Sequence, residues 1–296
     1  MASLKPQVGL SKRASGPLSK QERNISTGAL EAALLRDFPR EDAEEWDRTG
    51  LTVGDPARPV TKVAVGLDAT VAAVREAASR GANVLVTHHP AFLKAPESFR
   101  PAESAAQCSG AVVWAAIEEG VSLMSFHTAL DASPRAATML PDMLSLDYTG
   151  RLVMPTAPGA DRGYGQLCEV SRADAPMTLE KLAARCTSVF GQVPRVWGDF
   201  DRKLSRVVTF TGSGSDAVIP CLRNHVDCLI VGEVKYHAAL DARSAGLCII
   251  DVGPDVSELP YTQVLAEAVC RAGVPADDVE VIDQRDNWTH PESTRL

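Results

Sequence analysis

The sequence contains no apolar run of about 20 residues, the length that a transmembrane helix needs, and it therefore predicts no membrane span. Basic residues are also in short supply: 30 Lys and Arg stand against 38 Asp and Glu, and the formal net charge is -8. This balance argues against a nucleic-acid-binding surface, although it leaves a local basic patch open. The first 24 residues lack the apolar core of a secretory signal, and we expect them to form a polar, mobile tail.

The cysteines give no sign of a zinc knuckle, because no two of them stand in a C-x-x-C pair. Their number is odd, they are dispersed, and most lie in apolar runs. We interpret them as reduced core residues of a cytoplasmic protein. They are Cys108, Cys168, Cys186, Cys221, Cys228, Cys248 and Cys270.

Two series of alternating strand and helix patterns predict an α/β fold. Because polar residues follow corresponding strands in both series, we interpret them as two related α/β lobes that form an internal pseudo-repeat. The first series has strands near 62–67, 84–86 and 122–126, and the second has strands near 206–210, 227–231 and 247–251. The predicted organisation is an N-terminal lobe over 25–150, a linker rich in Pro and Gly over 151–165, a C-terminal lobe over 166–285 and a polar tail over 286–296.

Two adjacent histidines end the strand predicted over 84–86. Side chains alternate along a strand, so His88 and His89 can serve one site only if the chain turns directly after it. Pro90 favours such a break, because proline cannot donate to a strand ladder. A polar loop with one hydrogen-bonded and one exposed histidine is equally compatible with the sequence.

Other strand ends also carry metal-ligand side chains, and ligands of open α/β sheets bind beyond the carboxyl ends of the strands. Two imidazoles with two or more carboxylates suit Zn, Mn, Fe or a related divalent ion, and a bridging carboxylate would permit two ions. The residues are His127 with Asp131; Glu233 with His237, which share a helical face; and Asp251 with Asp255 and Glu258.

Each of these assignments has a plainer alternative. His127 could donate to a backbone carbonyl, and Asp131 could cap the helix after it. Glu233 and His237 could form a surface pair. The turn over 212–215, Gly-Ser-Gly-Ser, could bind phosphate at a helix N-terminus, although a plain turn is the more common use of such a stretch.

Six stretches together resemble the NIF-three-like dinuclear metal-centre family, also known as GTP cyclohydrolase I type 2 homologues. They occur in the family's order between about residues 25 and 282. The resemblance implies two related α/β lobes with a metal site between them, two divalent ions per subunit, and a toroidal homohexamer whose sites face an internal cavity. The stretches are Trp46-Asp47 with Gly50-Leu51 and Val53-Gly54-Asp55; Thr87-His88-His89-Pro90; His127-Thr128-Ala129-Leu130-Asp131; Gly212-Ser213-Gly214-Ser215; Gly232-Glu233-Val234-Lys235-Tyr236-His237; and Asp251 to Glu258.

The resemblance also implies a ligand set, from which this sequence departs at one position. The implied metal ligands are His88, His89, Asp131 and Glu258, but the family's remaining histidine corresponds to Pro254 here, which has no ligating side chain. Three outcomes follow. Asp255 could shift into the vacancy, His127 or His237 could reach it, or the subunit could bind one ion or bind metal poorly.

These features predict a metal-dependent hydrolase that acts on a small phosphorylated or purine-like substrate. His127, Glu233 and His237 would be its catalytic residues and would orient ligands or move protons. The serines of the turn over 213–215 would contact phosphate. The alternatives are a non-enzymatic metal-binding oligomer, which buffers or delivers metal or serves as a scaffold, and a divergent member that keeps the fold without the metal.

Overall fold

A computed structural model describes residues 25–101 and 109–285 and shows a mixed α/β fold. The predicted tails at 1–24 and 286–296, together with Cys108, lie outside the described residues. No helix in the described ranges is both long enough and apolar enough to cross a membrane.

The first sheet has five strands in the order β1-β4-β3-β2-β13. The strands β2, β3, β4 and β13 are parallel, whereas β1 runs antiparallel at one edge. The parallel strands deliver their carboxyl ends to one side, where β3 ends in the two histidines. The elements are α1 (Thr27–Asp37), β1 (Gly50–Val53), β2 (Val63–Asp68), α2 (Val71–Ser79), β3 (Val84–His89), α3 (Ser109–Glu119), β4 (Ser122–Ser125), α4 (Thr128–Asp131), α5 (Ala136–Met143) and β13 (Val279–Val281).

The second sheet has six strands in the order β5-β6-β10-β11-β12-β8. Its central strands β10, β11 and β12 are parallel. A separate pair, β7 and β9, completes the strands of the described ranges. The elements are β5 (Leu146–Pro155), β6 (Gly163–Val170), β7 (Met177–Thr178), α6 (Leu179–Phe190), β8 (Arg195–Trp197), β9 (Lys203–Leu204), β10 (Arg206–Ser213), α7 (Val218–Arg223), β11 (Cys228–Glu233), α8 (Tyr236–Ser244), β12 (Cys248–Asp251), α9 (Pro254–Glu258) and α10 (Tyr261–Arg271).

The predicted linker over 151–165 is not a linker in the structure. It forms the second half of β5, the turn and the start of β6, and these two strands pair antiparallel. Proline and glycine punctuate a hairpin turn as readily as they punctuate a linker, and composition alone does not separate the two. The second sheet consequently begins at Leu146, inside the range predicted for the N-terminal lobe.

The end of the predicted C-terminal lobe also differs from the prediction. The strand β13 pairs in parallel with β2 of the first sheet. In addition, α10 places Tyr261 and Leu265 in the same core cluster as Leu30 and Val65. A parallel sheet needs apolar cover on both faces, and α10 supplies part of that cover for β2 and β3.

The six described cysteines are free thiols, as the sequence predicts, and all are buried except the half-buried Cys270. Burial raises the pKa of Cys186 and of Cys221 to about 12. Because the thiolate is the reactive form, we expect both to resist alkylation in the native protein at mildly alkaline pH and to react once urea unfolds it. Mass-spectrometric mapping of the alkylated sites checks this. Labelling of Cys186 at the rate of Cys270 without denaturant would contradict it.

Candidate metal centre and cleft

The structure brings the two adjacent histidines to one site. The strand β3 ends at His89, Pro90 breaks the strand, and the ring centroids of His88 and His89 lie 4.7 Å apart. His88 is fully buried, and His89 is partly exposed. The alternative of a polar loop with one hydrogen-bonded and one exposed histidine is therefore not what the chain forms, because both residues belong to β3.

A carboxylate from each half of the chain faces His88. Its Nε2 atom lies 3.7 Å from Asp131 Oδ1 and 3.7 Å from Glu258 Oε1. Asp131 lies in α4, directly after the first sheet's β4, whereas Glu258 lies in α9, which follows the second sheet's β12. These three side chains form one group whose ligand atoms all lie within 4.8 Å of one another, and His88, His89 and His127 form a second such group.

The surroundings of His88 fit a metal cation. Both ring nitrogens are buried, and neither has a hydrogen-bond partner among the described residues. A buried polar atom left in this way is costly to the fold. Ligands bound tetrahedrally to a cation at about 2.1 Å stand roughly 3.4 Å apart, close to the separations found here. A shared cation would give a ring nitrogen of His88 a partner and would also neutralise the charge of the two carboxylates.

Two glycines of the second sheet let α9 approach the site. Gly212 has a φ of 61°, and a Cβ atom there would stand 2.2 Å from Glu258 Oε1. A Cβ atom at Gly232 would stand 2.5 Å from Ser257 Oγ, the atom that accepts a hydrogen bond from Gly212 N at 3.1 Å. Gly212, the first residue of the Gly-Ser stretch over 212–215, thus allows close packing against Glu258.

Asp68 orients His89. The Nδ1 atom of His89 donates to Asp68 Oδ1 at 2.8 Å, and Nε2 lies 3.2 Å from Glu258 Oε2. Burial opposes the charge on His89, but the two carboxylates outweigh it and raise its pKa to about 10. Carboxylates that hold the far nitrogen of a ligand histidine are common in metal sites. Asp68 is not among the site residues predicted from the sequence, although it directly follows the strand predicted over 62–67.

Asp47 holds His127 and the start of α4. It accepts hydrogen bonds from His127 Nδ1 at 3.2 Å, from Thr128 N at 2.9 Å and from Thr128 Oγ1 at 2.6 Å. Burial alone would raise the pKa of Asp47, but these hydrogen bonds and the neighbouring imidazole outweigh burial and lower it. His127 donates to a carboxylate rather than to a backbone carbonyl, which leaves its Nε2 for another partner.

Asp131 belongs to a potential ligand group and does not cap the helix after it. It lies at the end of α4, and the N-cap of the next helix is Arg135. Thr211 Oγ1 donates to Asp131 Oδ1 at 3.4 Å and lies 2.8 Å from the hydroxyl oxygen of Tyr261. Burial raises the pKa of Asp131, and His88 nearby partly offsets that rise. Tyr261 packs its ring against His88, and no pattern in the sequence points to it.

Glu233 and His237 are not brought to this site. Both side chains are exposed, and neither belongs to a potential ligand group of the described residues. Asp255 also stands outside both groups. Pro254 begins α9 and is exposed. Of the three side chains that could replace the missing histidine, the structure therefore brings only His127 among the potential ligands.

A cleft of about 330 Å³ opens beside the ligand groups. Asp131, Glu258 and His127 line one part of it, and the aromatic rings of Trp46, Tyr164 and Phe210 line another. The arrangement can hold a small molecule against a cation bound at His88.

The sequence of the chain matches a family model and several known proteins. The family model described as Duf34/NIF3 (NGG1p interacting factor 3) matches residues 26–287. A GTP cyclohydrolase 1 type 2 homolog of Streptomyces coelicolor is 30% identical over 262 residues, which cover 86% of each chain. A protein of the same name from Clostridium acetobutylicum is 28% identical over 237 residues, 79% of this chain and 86% of that one.

Solved structures share the fold. Staphylococcus aureus protein SA1388 superposes with a TM-score of 0.77 at 24% identity, over 90% of this chain and 99% of that chain. A Bacillus cereus protein related to NIF3 gives a TM-score of 0.76 at 17% identity, over 93% of this chain and 99% of that chain.

Proposed function

Since the chain belongs to the Duf34/NIF3 family, we propose that it binds one or two divalent metal ions and is a metal-dependent hydrolase of a small nucleotide-like or phosphorylated substrate. The observation that carries this proposal is the buried, unpaired imidazole of His88 between two carboxylates at the edge of an open cleft. Zn, Fe and Mn all suit such mixed nitrogen and oxygen ligands.

His88, His89, Asp131 and Glu258 would hold the ion. When bound, a divalent cation supplies Lewis acidity that activates water and stabilises negative charge on a leaving oxygen. Asp47 holds the Nδ1–H of His127, so the free Nε2 of His127 can accept a proton from a nucleophile or return it to a leaving group. The catalytic roles of Glu233 and His237 remain predictions that nothing in the geometry supports.

We also propose that the two sheets are a pseudo-repeat with the metal site between them. Each contains a parallel β-α-β-α-β series, and the potential ligands come from both. A homohexamer in the cytoplasm remains our expectation. Light scattering checks the assembly, since a hexamer would have six times the 31.5 kDa chain mass.

Pro254 favours a second candidate function. A site that lacks one family ligand holds its metal less firmly, and weak binding suits a non-enzymatic oligomer that buffers or delivers metal. The two functions differ in turnover, because a carrier exchanges metal without consuming a substrate.

Metal removal tests the proposal. We expect protein purified without chelator to carry at least one ion per chain by elemental analysis. Dialysis against a chelator should abolish hydrolysis of its substrate, found by screening nucleosides and phosphate esters, and re-addition of metal should restore it. Metal without turnover would favour the carrier. Absence of bound metal both before and after metal is added would contradict the hydrolase and the metal carrier alike.

Restoring the family histidine offers a gain-of-function test. Residues four apart share a helical face, so Pro254→His places an imidazole next to Glu258 in α9. We expect tighter metal binding, by about tenfold or more, and a rise in stoichiometry if the native chain binds one ion. Calorimetric titration with Zn²⁺ checks this, with Pro254→Ala as the control for loss of the proline. Equal affinities in both variants would contradict the expectation.

A further inference from the structure

The cleft beside the ligand groups has flat aromatic walls. The rings of Tyr164 and Phe210 stack with an interplanar angle of 25° and centroids 6.1 Å apart. Trp46, which also lines the cleft, meets the ring of His127 edge-on at 5.6 Å and leaves 53% of its surface exposed. An exposed tryptophan at the mouth of a polar site offers a face on which a planar ring can stack.

These walls are held before any ligand enters. The Tyr164 hydroxyl donates to Glu44 Oε1 at 3.2 Å, and Glu44 N donates to Thr128 Oγ1 at 2.9 Å. That hydroxyl in turn donates to Asp47. A chain of hydrogen bonds therefore ties the aromatic wall on β6 to the segment that carries Asp131, so the distance from wall to ligand group is set by the fold.

The charge of the cleft is negative. Four carboxylates line it, Glu44, Asp131, Asp216 and Glu258, and no Lys or Arg is among the described residues that line it. One divalent cation would neutralise two of these charges. Glu44 and Asp216 belong to neither potential ligand group of the described chain, and they would remain to repel an anion.

Phosphate sites that do not rely on a bound cation are built differently. They gather Arg or Lys side chains, or backbone N–H groups at the start of a helix. The Gly-Ser turn next to the cleft leads only into a short 3-10 turn and the six-residue α7. One of its serines, Ser215, already accepts a hydrogen bond from Lys235 N at 3.0 Å.

We propose that this cleft takes an uncharged, planar nitrogen heterocycle, a nucleobase or nucleoside, and discriminates against its phosphorylated forms. The proposal rests on the proposed function and narrows its substrate class. The ring stacks on Trp46, the hydroxyls of Thr211 and Ser213 meet its heteroatoms, and the ligand groups face its edge.

Calorimetric titration of the metal-loaded full-length protein tests it with guanosine, adenosine, GMP and GTP. We expect at least one nucleoside to bind at least about tenfold more tightly than its phosphorylated form. The difference in affinity between guanosine and GMP should decrease as added salt screens the repulsion between the phosphate of GMP and the carboxylates of the cleft. GMP or GTP binding as tightly as guanosine would overturn the proposal, as would the failure of both nucleosides to bind.

Two pairs of variants test which residues stack on the nucleoside and which repel its phosphate. Trp46→Ala should weaken nucleoside binding about tenfold, whereas Phe200→Ala, whose side chain is also 53% exposed but lies outside the lining, should leave it unchanged. Asp216→Asn should tighten GMP binding several-fold without changing guanosine binding, and the exposed Asp241→Asn should change neither. Equal losses in Trp46→Ala and Phe200→Ala would overturn the stacking role.

Metal content, measured on the same samples, separates this proposal from the function it rests on. Stoichiometric metal with no nucleoside binding would refute the narrowed substrate class and leave the metal-dependent function standing. Nucleoside binding without any metal or hydrolysis would refute the hydrolase and support the ligand class.

Discussion

The substitution His88→Ala is expected to abolish metal binding. His88 is common to both potential ligand groups found among residues 25–101 and 109–285, so its removal damages both of these groups. Loss of an outer-shell partner alone typically lowers metal affinity about 10- to 100-fold, and loss of a direct ligand should lower it at least about 100-fold. Elemental analysis after gel filtration, followed by titration with Zn²⁺, measures the change.

His237→Ala is the matched control, because it removes an imidazole that is exposed and stands apart from the ligand groups. We expect it to keep the native metal content. The free energy of unfolding must be measured for both variants, because loss of a buried ring weakens packing whether or not metal binds. Native metal content in a folded His88→Ala variant would refute the metal centre. Loss of metal in His237→Ala would instead revive the predicted ligand role of that residue.

The substitution Asp47→Ala is expected to destabilise the fold by about 3 kcal/mol. The Asp47 side chain is fully buried, and its removal leaves His127 Nδ1 and both donors of Thr128 without their acceptor. Because Thr128 begins α4, the side chain of Asp131 at the end of this helix should be displaced as well. We therefore expect metal affinity to fall about tenfold or more. Urea unfolding and metal titration measure the two effects.

The pH dependence gives Asp47 a separate test. The folded protein lowers the pKa of this carboxyl below the unfolded value of about 3.9. Its contribution to stability is thus present above pH 4 or so and is lost as the pH falls through the folded pKa. The difference between wild type and Asp47→Ala should be largest near neutrality and shrink in acid. The exposed Asp241→Ala serves as the control, and a difference that grows in acid would contradict the account.

Part of the candidate site could be predicted from the sequence for a simple reason. Parallel strands bring their carboxyl ends together, so local patterns predict that His88, His89 and Asp131 lie at one edge of the sheet. The choice of these residues as ligands depends on the family resemblance. Local patterns could not decide which of the other strand ends contribute side chains to the same site. Glu233 also ends a parallel strand, yet its side chain is exposed and apart from the ligand groups. Strand position limits where a side chain lies but not which way it points after the strand has ended.

The sequence by itself determined the α/β class, the family and the strand ends that carry the histidines, because these depend on periodicity and on local motifs. Only the tertiary structure decided that the hairpin over 146–170 belongs to the second sheet and that β13 returns to the first. It also decided that Asp47 and Asp68 stand behind the histidines and that no Lys or Arg of the described chain lines the cleft. Such contacts join residues far apart in the chain, and their formation depends on the packing of whole sheets, which no local pattern encodes.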